Sequence, residues 1–307
     1  MEKLPRGITI GDSRHMDNVP DKSVTLLCTS PPYGVDKPYE KGITFEEWYA
    51  LLKDVLMEAD KKLVDGARIA INIPSGIERS PLIMLPYHVI EICLKIGWLP
   101  RSWIVWLKTF GNTSCDWGSY RSPSNPSNRD SHEFILVFSK KKFDIEKGES
   151  GISGYEFCEF SRSEWVFNPE SSFKGHPAPF PDELPRRCIL FWTRIGDVVL
   201  DPFAGSCTTY KVALALDRKC YCYERSPEYI PVIQKRISEP LNVQSVSEKA
   251  RESMEKVYPG LFDMTTKEIA KLSETIGLKI DPNESKASMM DKLVRDKKSI
   301  GLEKFMR

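Results

Sequence analysis

Apolar residues recur along this chain in two rhythms. Short runs at Ile8 to Ile10, Val24 to Cys28, Ala67 to Ile73, Trp103 to Leu107, His132 to Phe138, Val198 to Leu200 and Cys220 to Tyr223 have the length and apolar content of buried strands. Between them lie stretches with a helical period. Phe45, Trp48, Leu52, Val55, Leu56 and Leu63 predict an amphipathic helix over 45–63 that Asp65-Gly66 would stop. Leu85 to Ile96 predicts a second helix, ended by Gly97, and Tyr210 to Leu216 a third. Strands alternating with helices in this way predict an α/β chain with a largely parallel sheet.

Two strand ends carry more than packing requires. The run Val24 to Cys28 is followed by Thr29-Ser30-Pro31-Pro32-Tyr33-Gly34, where two prolines forbid further ladder hydrogen bonds. A hydroxyl and an aromatic ring then stand at the carboxyl end of a strand, where open α/β sheets place their ligands. On its own this is equally a proline-rich turn with a tyrosine lid. The second stretch is Asp201-Pro202-Phe203-Ala204-Gly205-Ser206-Cys207-Thr208-Thr209, which leads from a strand through small residues into a helix. After the next strand comes Glu224. Such a βαβ unit suits a nucleoside, with backbone amides near its polar end and Glu224 on the ribose hydroxyls.

Ser-Pro-Pro-Tyr and Asp-Pro-Phe-Ala-Gly-Ser-Cys-Thr-Thr together resemble the catalytic and cofactor motifs of the DNA amino-methyltransferases. The catalytic motif comes first here, which resembles the permuted β class, and the likeness runs from about Ile8 to Ile237. The resemblance implies a Rossmann-like fold of class I with helices on both faces of the sheet. It implies S-adenosyl-L-methionine as cofactor and double-stranded DNA as substrate, with the target base flipped out of the helix. Ser30, Pro31, Pro32 and Tyr33 become the catalytic candidates. Asp201, Pro202, Phe203, Gly205, Ser206, Thr208 and Glu224 become the cofactor candidates, joined by Asp12, Phe180 and Pro181. Asp12 follows the first strand and would meet the adenine amino group, or simply cap its own turn. Phe180 and Pro181 lie in the proline-rich segment 173–189 that would border the methionine end of the cofactor; without the resemblance this is a rigid linker before a helix. His176 in the same segment is as readily structural. Asn72 and Trp106 match family positions as wall residues only.

Residues 35–44 predict a loop able to close over a nucleotide. Segments 108–130 and 140–167 interleave Arg and Lys with Trp117, Tyr120 and other aromatics; they are ordinary solvated loops or, as the resemblance implies, target-recognition loops. From residue 241 the chain turns Lys- and Glu-rich and predicts helices at 246–258, 266–276 and 287–295, with Thr265 and Glu268 as a capping box. The expected organisation is a catalytic domain over 1–240 and a charged helical appendage over 241–307.

Composition narrows the chemistry. A net charge of +1 leaves room for a local basic cleft and does not itself announce nucleic acid. Eight cysteines without Cys-x-x-Cys spacing and four histidines indicate neither a disulfide framework nor a metal site, and fit a reducing cytoplasm. No apolar run approaches the ~20 residues of a membrane span, and no signal peptide opens the chain. None of the eight cysteines follows a proline, which excludes the thiolate chemistry of cytosine-C5 methylation. Serine at the head of the catalytic motif resembles the cytosine-N4 enzymes more than the adenine-N6 enzymes, in which aspartate is frequent. The resemblance also implies a restriction-modification setting in a prokaryotic cytosol, with a cognate endonuclease and self-association as candidate partnerships. A catalytically silent cofactor-binding subunit is the alternative from a different class.

Overall fold

A computed structural model describes residues 4–33, 44–76, 82–108, 119, 121–126, 128, 130–170, 181–242, 265–275 and 289. Its strands are β1 (Ile8–Ile10), β2 (Val24–Thr29), β3 (Leu63–Ile73), β4 (Trp98–Lys108), β5 (His132–Lys140), β6 (Glu164–Phe167), β7 (Val198–Asp201) and β8 (Lys219–Glu224). They form one sheet in the order β1-β8-β7-β2-β3-β5-β4-β6. Every pairing is parallel except the two made by β5, which runs against β3 and β4. The expected mixed α/β sheet, largely parallel, is therefore present.

The helices are α1 (Phe45–Lys62), α2 (Leu85–Ile96), α3 (Gly154–Phe160), α4 (Glu183–Trp192), α5 (Thr208–Ala215), α6 (Ile230–Ser238) and α7 (Thr266–Thr275). Helix α1 starts where a capping box forms: Glu47 N–H donates to Thr44 Oγ1 at 3.2 Å and Thr44 N–H donates to Glu47 Oε2 at 2.8 Å. Its buried face, Trp48, Leu52, Val55, Leu56 and Ala59, joins Leu27, Ile69, Ile71 and Leu136 of the sheet in one core. On the sequence pattern alone α1 would run to Leu63 and stop at Asp65-Gly66. It ends at Lys62 instead, because Lys140 at the end of β5 donates its ammonium to the carbonyls of Asp60 and Leu63. Strand β3 begins at once, and Asp65-Gly66 becomes a bulge that shifts its register against β2. Gly66 has φ +92°, and a Cβ there would lie 2.4 Å from the Asp144 carbonyl oxygen. Gly66→Ala is expected to cost about 2 kcal/mol or more, read as a lowered melting temperature; an unchanged one would contradict this reading of the bulge.

Three other differences have local causes. Strand β4 begins at Trp98, five residues before the expected Trp103. Pro100 lies inside this extension, and a register shift between Pro100 and Ser102 accommodates it. Segment 140–167 is not wholly loop. It contains α3, capped by Ser153 and Glu156, and β6, whose alternate residues Trp165 and Phe167 are buried. Helix α5 starts at Thr208, two residues before the expected Tyr210.

The chain divides into two compact units, Met1–Gly151 with Ser163–Gln244, and Ile152–Arg162 with Ser245–Arg307. The sheet belongs to the first. In the second, α7 begins with the expected capping box, Glu268 N–H donating to Thr265 Oγ1 at 3.4 Å and Thr265 N–H to Glu268 Oε2 at 2.7 Å. The expected helices at 246–258 and 287–295 fall almost wholly outside the described residues. So do the loop at 35–43, most of 108–130 (including Trp117 and Tyr120), and His176 and Phe180 in the proline-rich segment.

Topology fixes where a ligand can sit. From β2 the chain crosses through α1 to β3 on one side, and from β7 through α5 to β8 on the other. Strands β2 and β7 are hydrogen-bonded neighbours, with Leu26 opposite Val199 and Leu27 opposite Leu200. The connections thus diverge between β2 and β7, and a crevice opens outside the carboxyl ends of strands at such a switch point.

Candidate active site

Both motifs end on that crevice. Ser30 follows β2 directly, and Pro202 follows β7. They are tied together by one residue pair: Thr29 Oγ1 donates to Asp201 Oδ1 at 2.7 Å, with both side chains buried. Asp201 accepts two more bonds, from Thr209 Oγ1 at 2.6 Å and from Phe203 N–H at 3.2 Å. Burial pushes its carboxyl above the usual range, and these bonds only partly offset that. Asp201 therefore shapes the turn and anchors it to β2, with its carboxylate spent inside the protein.

The turn itself is tight. Gly205 and Cys207 are left-handed, with φ 52° and 62°, which bends the backbone sharply into α5. Ser206 and Thr208 face inward: their hydroxyls lie 3.3 Å apart, and Arg236 of α6 donates to Thr208 Oγ1 at 3.2 Å. These two residues can meet a cofactor through the backbone of the turn, while Phe203 is half-buried at its front. One strand further out, Glu224 closes β8. Its backbone carbonyl accepts Gly11 N–H at 2.8 Å, its carboxylate accepts Ser226 N–H at 2.8 Å, and burial pushes its carboxyl up. A half-buried carboxylate one strand from a glycine turn fits the ribose of a nucleoside. The residues present thus fit the nucleoside end of the expected cofactor.

Asp12 stands beside this edge but is engaged locally. Arg14 donates Nε to both carboxylate oxygens at 3.1 and 3.0 Å, and its backbone N–H at 3.0 Å. That guanidinium lowers the Asp12 carboxyl to about 2. Pro181 is buried at the start of α4, where its carbonyl accepts Leu184 N–H at 3.2 Å.

On the catalytic side, Trp48 of α1 donates its indole N–H to the Pro32 carbonyl at 2.6 Å and pins the proline turn to the core. Tyr33 folds back, so that its hydroxyl lies 2.5 Å from Ser30 Oγ. Three residues complete the cluster. Asn72 of β3 donates Nδ2 to Glu133 Oε2 at 2.6 Å and to the Tyr33 hydroxyl at 3.1 Å, with Ser30 Oγ at 3.4 Å. Tyr33 donates to Glu133 Oε2 at 3.3 Å, and Lys108 at the end of β4 donates to Glu133 Oε1 at 2.5 Å. Burial and the Glu133 carboxylate push the Tyr33 phenol well above its usual range, which keeps it protonated. Among the described residues Asn72 Oδ1, which is buried, has no hydrogen-bond partner. Trp106 stacks on Phe167 with ring centroids 4.9 Å apart and is 3% exposed, so it is a wall and not a platform.

Lys108 and Glu133 were not singled out by sequence, and Asn72 only as wall. A polar Asn inside the apolar run 67–73 was the available signal, since a buried polar side chain is the informative exception in a core. Glu133 gave none, because strand period does not say which neighbour a side chain will face. Among the described residues no cluster of His, Cys, Asp and Glu could hold a metal, and no helix is long and apolar enough to cross a membrane.

The chain has relatives among known methyltransferases. The type II methyltransferase M.MjaI of Methanocaldococcus jannaschii is 30% identical over 292 residues, covering 78% of this chain and 96% of the relative. M.SmaI of Serratia marcescens, also a type II methyltransferase, is 28% identical over 270 residues, covering 75% and 90%. Among solved structures, TTHA0409 of Thermus thermophilus is 26% identical with a TM-score of 0.59. It covers 78% of this chain and 99% of its own, and was solved with S-adenosyl-L-methionine bound. The cytosine-N4-specific PvuII DNA methyltransferase shares the fold, with a TM-score of 0.61 at 22% identity over 80% of this chain and 89% of its own. Residues 24–235 match the N6/N4-type DNA methylase family, and they contain both motifs and the sheet that joins them, so the chain belongs to that family and is a DNA methyltransferase.

Proposed function

We propose that this protein transfers a methyl group from S-adenosyl-L-methionine to the exocyclic N4 of cytosine in duplex DNA. The observation that carries the reading is the Thr29–Asp201 hydrogen bond at 2.7 Å, which locks the Ser-Pro-Pro-Tyr turn beside the glycine turn at one switch point. Bound there, the cofactor supplies an electrophilic methyl group. The protein's task is to make a poor nucleophile attack it. The lone pair of a cytosine amine is delocalised into the ring. If the amine donates its hydrogens to Ser30 Oγ and to the Pro31 carbonyl, its nitrogen is drawn toward tetrahedral geometry and the lone pair is freed. Two prolines hold that carbonyl rigidly, and Trp48 fixes the one after it. Transfer in line then needs proximity and no covalent enzyme intermediate.

The target base must leave the helix to reach Ser30, so base flipping belongs to the reading, with the Tyr33 ring available to stack on it for about 1–3 kcal/mol. Phe203, the Gly205 turn and Glu224 would hold the nucleoside end of the cofactor, with Pro181, Phe180 and Asp12 at its margins. The catalytic domain would span 1–240 and the charged tail 241–307, with target recognition in 108–130 and 140–167. Action as the methylating half of a restriction-modification system in a prokaryotic cytosol, beside a cognate endonuclease and as a homodimer, completes the proposal.

Serine at position 30 favours N4 over the alternative, adenine N6. Duplex DNA methylated by the purified protein, digested to nucleosides and resolved by mass, is expected to yield N4-methyldeoxycytidine. N6-methyldeoxyadenosine as the only product would transfer the assignment to adenine.

A further inference from the structure

We propose that Glu133 is a positioning residue: acting through Tyr33, it sets the direction of the hydrogen bonds around Ser30, so that the Ser30 hydroxyl meets the substrate amine as an acceptor. The inference rests on the reading of Ser30 as the group that receives an amine hydrogen. A serine hydroxyl can donate or accept, and only acceptance draws out the amine's lone pair. Something must therefore decide which way its proton points.

The cluster decides it by counting protons. Glu133 is 9% exposed and its Oε1 lies 2.5 Å from the Lys108 ammonium, so it stands as a carboxylate that only accepts. Its other oxygen accepts from Asn72 Nδ2 at 2.6 Å and from the Tyr33 hydroxyl at 3.3 Å. A phenol has one proton, and in the proposed arrangement it is drawn to Glu133, which lies 3.3 Å away and has no proton to give back. Ser30 lies 2.5 Å from the Tyr33 hydroxyl, a contact in which either oxygen can donate, and with the phenol proton drawn to Glu133 the donor there is Ser30. The single proton of Ser30 is in turn committed to Tyr33. What Ser30 has left to offer is lone pairs, and Asn72 Nδ2, its other neighbour among the described residues at 3.4 Å, is itself a donor and cannot reverse the order. A carboxylate two hydrogen bonds away thus fixes the polarity of the atom that meets the amine.

The test uses the full chain, duplex DNA and S-adenosyl-L-methionine, with Glu133→Gln, Tyr33→Phe and the double variant. A glutamine amide can donate to Tyr33, which frees the phenol proton to turn toward Ser30 and the Ser30 proton to turn outward. Glu133→Gln is expected to lower kcat about tenfold or more, with KM for DNA and cofactor affinity within about twofold of wild type. Tyr33→Phe, which keeps the ring and loses the relay, should cost a similar factor. In the double variant the second change should cost little more, because both interrupt one chain. Wild-type kcat for Glu133→Gln, or losses that multiply in the double variant, would overturn the inference. Should Glu133→Gln fail to fold, Tyr33→Phe decides alone, and a full rate there refutes the relay. Ser30→Ala separates the two levels: if it is inactive while Glu133→Gln is normal, only this inference fails, whereas an active Ser30→Ala removes the reading beneath it as well.

Discussion

Replacing Ser30 with alanine is expected to slow methyl transfer by about 10²–10³-fold while leaving cofactor affinity unchanged, because on the proposed reading it deletes one of two fixed partners of the reacting amine. On that reading the remaining partner, the Pro31 carbonyl, would still orient the base but would no longer draw its nitrogen out of the ring plane from two sides. The fold has little reason to suffer. Thr29, the residue that ties β2 to the Asp201 turn, is untouched, and the Tyr33 hydroxyl keeps Glu133 and Asn72. Single-turnover methylation measures the rate, and calorimetry with S-adenosyl-L-methionine measures the affinity. A variant at wild-type rate would mean that Ser30 does not touch the amine. A silent cofactor-binding subunit predicts that outcome, so the same measurement separates the two classes of function.

The sequence pattern placed most strands, because a doubly covered sheet writes its strands as continuous apolar runs, and Val24 to Cys28 or Ala67 to Ile73 can hardly be read otherwise. It did not show strand order, and so could not show that β2 and β7 are neighbours. The notion of a shared crevice came from the likeness of two motifs to a known family, and the sheet gives it a physical basis. Where the pattern misled, a tertiary contact overrode a local rule. Asp65-Gly66 is a good helix stop, but Lys140, seventy-five residues later, ends α1 first. Within 140–167 the alternation of Glu164, Trp165, Val166 and Phe167 was a strand signal of only four residues, too short to stand out among loop residues. The polar floor of the catalytic side was the least legible part. Asn72, Lys108 and Glu133 come from three strands, and their meeting depends on β5 being inserted antiparallel between β3 and β4.

Asp201→Ala is expected to be the most damaging change on the cofactor side, lowering both stability and cofactor affinity. Three donors, the Thr29 and Thr209 hydroxyls and the Phe203 N–H, converge on this carboxylate. Leaving buried donors unsatisfied costs about 1–3 kcal/mol each, less whatever the hydroxyls recover by turning elsewhere, so a net loss of about 3 kcal/mol is expected. In a chain of this size that lowers the melting temperature by about 5 °C. Relief of the buried charge works the other way. Burial holds the Asp201 carboxyl above its ordinary range, so its folded-state pKa exceeds its unfolded one. A carboxyl raised in this sense contributes stability below its unfolded pKa and loses it as pH rises through the folded value. Asp201→Asn keeps an acceptor oxygen and carries no charge, so it should be milder than alanine, and the melting temperature of wild type relative to Asp201→Asn should fall as pH rises across that interval. Cofactor affinity decides the functional part. With the turn no longer held to β2, binding should weaken about tenfold, equivalent to about 1.4 kcal/mol. An alanine variant that melts lower but binds S-adenosyl-L-methionine normally would show that Asp201 supports the sheet and that the turn's shape is set elsewhere.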